Sequence, residues 1–146
     1  MTKEIVSRHI SKRFTASYLL KTDKDRQIEL NFFHNQPNSL SKIAILVVAY
    51  GGASINLAAT VVIPANVSNA VANLDIFCIS DDSSTIIASP NLLVSNHTAN
   101  ANHSLTTYKL TKDEQFYLAS RGLDSQIIES LRVNQLLQKF ANATRL

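Results

Sequence analysis

Residues Pro90–Leu123 read PNLLVSNHTANANHSLTTYKLTKDEQFYLASRGL, and this stretch decides the fold. Its first half is uncharged and rich in Asn, Thr and Ser, with strand-forming Leu92–Val94 and a histidine at His103. Its second half opens with Thr111-Lys112-Asp113-Glu114, a capping box in which the Thr111 oxygen accepts from the Glu114 amide and Glu114 reaches back. Asp113 and Glu114 also suit the positive end of a helix dipole. Phe116-Tyr117-Leu118 and Ser120-Arg121-Gly122 follow, and Gly122 supplies the left-handed residue that stops a helix. Asp124 then caps a second helix with apolar positions at Ile127, Ile128, Leu131, Leu136, Leu137 and Phe140. A polar β segment therefore runs into a helical hairpin.

Working outward, the chain divides by charge. Ile43–Tyr108 holds Asp75, Asp81 and Asp82 but no Lys or Arg, whereas Met1–Lys42 and Lys109–Leu146 are charged. The middle zone reads as short strands at Ile43–Ala49, Ser54–Ile63, Ala70–Ile79, Thr85–Ala88 and Leu92–Val94. Corners are expected at Gly51-Gly52, Pro64-Ala65-Asn66, Ser80-Asp81-Asp82 and Ser89-Pro90, with a turn at His34-Asn35-Gln36-Pro37-Asn38. Ile28–Phe32 alternates and reads as a strand within the charged first zone. Periodicity alone leaves a sandwich, a barrel and a β-helix open. The absence of Lys and Arg favours a β-helix, because its coils stack like residues on like: stacked Asn or Thr form ladders, whereas stacked Lys would repel. The expected organisation is a β domain over residues 1–108, its first 42 residues more charged, and a helical region over 109–146.

Composition limits the function classes. The 146 residues suit one domain with a helical appendage, and a net charge of +3 with no basic helix face argues against nucleic-acid binding. Ile43–Leu74 is uncharged for 32 residues, long enough to span a bilayer of about 30 Å. Gly51, Gly52, Ser54, Asn56, Asn66 and Asn69 interrupt it, so buried strands explain it better than a membrane span. A single cysteine, Cys78, and an N-terminus without an apolar leader indicate a reducing, cytoplasmic setting. The Asn-x-Ser/Thr triplets at Asn66, Asn96, Asn102 and Asn142 are then strand chemistry and not glycan sites. No phosphate loop, nucleophile turn or clustered Cys/His spacing occurs, which gives no support to an enzyme or a self-sufficient metal site.

The layout of Pro90, Leu92, His103, Thr106, Leu110, Glu114, Phe116, Tyr117, Leu118, Ser120, Arg121, Gly122 and Leu123 resembles the C-terminal end of the SufB/SufD family, scaffold proteins of iron–sulfur cluster assembly. In that family a proline opens the last coil, a histidine follows, and a helix of pattern F-Y-L-x-S-R-G-I/L closes the domain. The resemblance implies a right-handed parallel β-helix followed by a C-terminal α-helical hairpin. It also implies a non-enzymatic scaffold or accessory subunit with no stably bound cofactor, handling an iron–sulfur cluster transiently.

The implied metal position is His103. The implied partners are a SufC-like ATPase, docked through Phe116, Tyr117, Arg121 and Gly122, and a SufB/SufD-like chain or a second copy in a homodimer; neither nucleic acid nor membrane is implied. Departures from the family pattern are Ala101, where the D-type has cysteine, and Ser104, where the D-type has glycine and the B-type glutamate. Asp75 stands where the B-type cysteine falls, and Cys78 misses that place by three residues. A degenerate paralogue that only binds protein is the alternative.

Overall fold

The computed structural model describes residues 3–109, 112 and 143–145. Eight strands follow one another: β1 (Lys3–Ile10), β2 (Arg13–Thr22), β3 (Arg26–His34), β4 (Leu40–Ala49), β5 (Ser54–Ile63), β6 (Val71–Ser80), β7 (Thr85–Val94) and β8 (Asn100–Lys109). They alternate between two sheets, ordered β1-β3-β5-β7 and β8-β6-β4-β2, and every pairing is parallel. Each coil thus lays one strand on each sheet, and the chain winds as a parallel β-solenoid. A short β9 (Ala143–Arg145) pairs with β2 at Ser17–Leu19 and covers part of that edge. The rest of the expected helical hairpin, including Glu114, lies outside the described residues.

Alternation along each strand sets the core. In β3 Ile28, Leu30 and Phe32 face inward; in β5 Ile55, Leu57, Ala59, Val61 and Ile63 do so, all at most 2% exposed. Ile43, Ile45, Val47 and Ala49 of β4 meet them from the other sheet, with Leu74, Ile76 and Cys78 of β6 above. The register stacks these residues in columns, for example Ile28–Leu57–Ala88 and Ile45–Ile76–Leu105. Outside the second sheet Leu19, Leu46, Val48 and Ile79 form a smaller buried cluster with Phe77 and Tyr108. Burying each such aliphatic side chain contributes about 1.5–3 kcal/mol.

The corners stack as well. Asn38 (φ 61°) and Asn69 (φ 55°) hold equivalent places two residues before β4 and β6, in the left-handed region that Asn tolerates. The Asn69 amide donates to Thr98 Oγ1 of the next coil at 2.8 Å, and Asn96 Nδ2 donates to the Ala65 carbonyl at 2.8 Å. At the opposite corner Gly51 and Gly52 (φ 65° and 80°) donate their amides to Asp81 Oδ2 and Ser84 Oγ. Partial burial would raise the Asp81 carboxyl, but donors from Ser84, Gly51 and Ser83 outweigh it and hold the group below its ordinary range.

The sequence places β5 at its observed bounds, but the break expected at Ser89-Pro90 does not occur. β7 runs unbroken through Pro90, which lies inside the strand and does not open it. Within the described residues β7 pairs on one side only, with β5, so an absent N–H is tolerated on its free edge. His34 is a second correction, since it ends β3 instead of starting the turn. Fully buried, it places Nδ1 2.7 Å from Ser39 Oγ and Nε2 2.9 Å from Ser41 Oγ. One ring nitrogen donates and the other accepts, so the neutral ring is satisfied where an ion would be costly.

Burial lowers the His34 pKa from 6.5. The unfolded chain therefore takes up a proton first, and the stability held by neutral His34 is complete above pH 6.5 and lost as pH falls from there through the folded value. Urea unfolding between pH 7.5 and 5.5, approximate settings bracketing that window, should show stability falling by up to about 1.4 kcal/mol per pH unit. His34→Gln should flatten that slope; an equal slope in the variant would remove His34 as its origin.

Candidate functional site

Three inward columns change chemistry toward the last coil. Ile43 is followed by Leu74 and then His103; Val47 by Cys78 and then Thr107; Ala49 by Ser80 and then Lys109. The same positions are aliphatic deep in the solenoid and polar at its C-terminal end. His103 therefore occupies a core column, stacked on buried Leu74, yet is itself exposed. Sequence reasoning singles out this histidine but not its place in a core column, which only the register reveals.

Around it the end coil is uncharged, with several large aliphatic side chains exposed among Asn, Ser and Thr. Ser83–Thr107 contains no Asp, Glu, Lys or Arg. Of the large hydrophobic side chains exposed among the described residues, Ile87, Leu93, Val94 and Leu105 belong to β7 and β8, and Ile5 alone to β1. The opposite end is guarded by charge: Lys3 pairs with Glu29, and Arg26 with Glu4. A strand edge lined with charges resists a further strand, and one without them does not.

The remaining candidates separate. Asp75, at the B-type cysteine position, accepts a hydrogen bond from Ser104 Oγ on the neighbouring strand. Cys78 alternates to the other face, is 3% exposed and belongs to the main core, as expected of a small hydrophobe. It shares a register position with Thr107, four residues along β8 from His103, or about 13 Å at 3.3 Å per residue. The two cannot ligate one ion. His97 lies in the β7–β8 corner, and His9 stacks on Phe33 with centroids 5.3 Å apart. Among the described residues no group of three His, Cys, Asp or Glu is placed to hold a metal. No described helix is long and apolar enough to cross a membrane. Phe116, Tyr117, Arg121 and Gly122 lie outside the described residues.

Comparison with known protein families matches residues 3–135 to the family described as SUF system FeS cluster assembly, SufBD core domain. The chain belongs to the SufBD family. The match spans nearly the whole chain, and the parallel solenoid agrees with it. No curated protein matches the chain. Membership implies a role in SUF-type iron–sulfur cluster assembly, in a family of scaffold type and not of a recognised enzyme class.

The SufBD chain's one cysteine is poorly suited to attack. Burial pushes the Cys78 thiol from 9.0 up to about 12, so at equal pH its thiolate fraction is roughly a thousandfold lower. Alkylation by iodoacetamide near pH 8, an approximate condition well below both values, should be at least about a hundredfold slower in the native protein than in denaturant. Comparable rates would show Cys78 to be exposed or activated.

Proposed function

We propose that this SufBD chain is a non-enzymatic scaffold or accessory subunit of SUF-type assembly, meeting a second chain at its open β7–β8 end. The single observation that carries this reading is His103 in a core column of an uncharged end coil. A second chain placed against that end would cover Leu105 and Val94 and enclose His103 at the junction. A neutral imidazole is a ligand for iron, and the cluster is cargo there, not a resident cofactor. The other ligands would come from the second chain, either SufB/SufD-like or a copy of this one. Right-handed winding is proposed too, since a right-twisted strand feeding a crossover favours that hand.

Docking of a SufC-like ATPase by Phe116, Tyr117 and Arg121, with Gly122 turning the chain, is part of the proposal and rests on the resemblance of that segment. Aromatic residues beside an arginine are the composition of an interface anchor. The setting proposed is cytoplasmic, with neither nucleic acid nor membrane as partner, supported by the mild charge and single cysteine. Ala101 and Ser104 favour a second reading, a protein-interaction module without a metal role, because neither supplies the family's cysteine or glutamate.

Co-purification with the SufC-like ATPase of the same organism, followed by iron and sulfide assays, tests the proposal. The expected result is a stoichiometric complex whose iron and sulfide fall to background in His103→Ala. Unchanged loading in that variant would favour the interaction module, and no complex at all would end the docking proposal.

A further inference from the structure

Near the corner between β6 and β7 the two sheets part around a cleft of about 330 Å³. It lies on the inward face, at the far end of β8 from His103. Cys78 and Thr107 share one register position and Ser80 and Lys109 the next, while Thr85 and Ile86 close the side formed by β7. One coil below, the same columns hold Val47 and Ala49. Positions that are apolar in the core have become hydroxyls and an ammonium.

Hydrogen bonding within this cleft is incomplete. Ser80 is 9% exposed and its hydroxyl opens on the cleft without a hydrogen bond in the described structure, while Thr85 and Thr107 are exposed and likewise form none. Lys109 Nζ donates one bond, at 3.2 Å, to the Ser84 carbonyl and keeps its other protons. Ser84 Oγ is already committed, accepting from the Gly52 and Ala53 amides at 3.1 Å. Among the described residues no carboxylate lines the cleft. At the adjoining corner Asp81 is held by Gly51 and Ser83, and Asp82 faces Lys112 at 3.8 Å. Ser80, Thr107 and Lys109, on paired strands and one face, thus turn donors with spare hydrogen-bonding capacity into the same cleft. A volume at the lower end for small-molecule sites, a few convergent polar groups and an apolar wall at Ile86 describe a ligand pocket.

We propose that this cleft binds a small oxyanion-headed molecule. Its phosphate or carboxylate head takes hydrogen bonds from Ser80, Thr107 and Lys109, and a short apolar part rests on Ile86. The site does not depend on His103 or on cluster handling.

The test is titration of the full chain with inorganic phosphate and, separately, butyrate, each against sodium chloride at equal ionic strength, followed by amide proton–nitrogen spectra. Saturable shifts at Ser80, Ile86 and Lys109 in at least one arm are expected. Phosphate alone would identify a phosphate head, and butyrate alone a carboxylate head. Lys109→Met should weaken binding about tenfold or more, the loss of a charge-assisted hydrogen bond. Lys42→Met, at an exposed position of β4, should leave it unchanged. Ser80→Ala combined with Thr107→Val gives the same readout should Lys109→Met fail to fold. Shifts that follow chloride, shifts that persist in both the lysine and the hydroxyl variants, or no shift in either arm would overturn the site.

Discussion

Everything in this molecule depends on the in-register stacking of parallel coils about 4.8 Å apart. Each side chain stands directly over its counterpart in the coil below, so what one column holds restricts what the next coil accepts. Two like charges at that spacing repel by about 3 kcal/mol at an effective dielectric near 20. That cost is comparable to the burial of one aliphatic side chain, and it accounts for Ile43–Tyr108 lacking Lys and Arg. Some of the charge that does occur in a ladder is answered: Lys3 by Glu29, Asp75 by the Ser104 hydroxyl. Aliphatic columns inside and Asn, Ser and Thr at the corners satisfy the same constraint.

A stacked fold has two ends, and here they differ. The N-terminal coil carries ion pairs on β1, and β9 covers part of β2. The C-terminal coil has exposed Leu, Ile and Val and no charge from Ser83 to Thr107. The column that places Leu74 in the core places His103 at this end, so the register that builds the core also presents the one candidate ligand. Membership of the SufBD family gives that position a context in cluster assembly. The solenoid is thus both a rigid core and a means of displaying a few polar groups at a defined spacing.

Much of the fold was legible because alternation and charge survive in the sequence. Ser54–Ile63 alternates cleanly between Gly and Pro corners and forms β5 at those bounds. Alternation shows which face a residue takes but not which strand lies beside it, which is why it leaves β-helix and sandwich level and only the charge-free middle zone and the resemblance separate them. Pro90 has the signature of a breaker, yet a strand paired on one side among the described residues has no use for an N–H on the other. His34 had no neighbour of interest in the sequence, because Ser39 and Ser41 reach it only after the chain reverses into β4. The three-residue offset between Asp75 and Cys78 is odd, so in a strand the two take opposite faces, as the register shows. The polar cleft was not legible, since it arises from columns that only pairing reveals.

The proposed interface is the β7–β8 end, and not the β1 edge. Amide hydrogen exchange measured across a range of protein concentrations, alone and with a SufB/SufD-like partner, tests it most directly. Edge amides of β7 or β8 should gain protection on association while those of β1 exchange as before. Protection confined to β1, or association that leaves β7 and β8 unprotected, would contradict it.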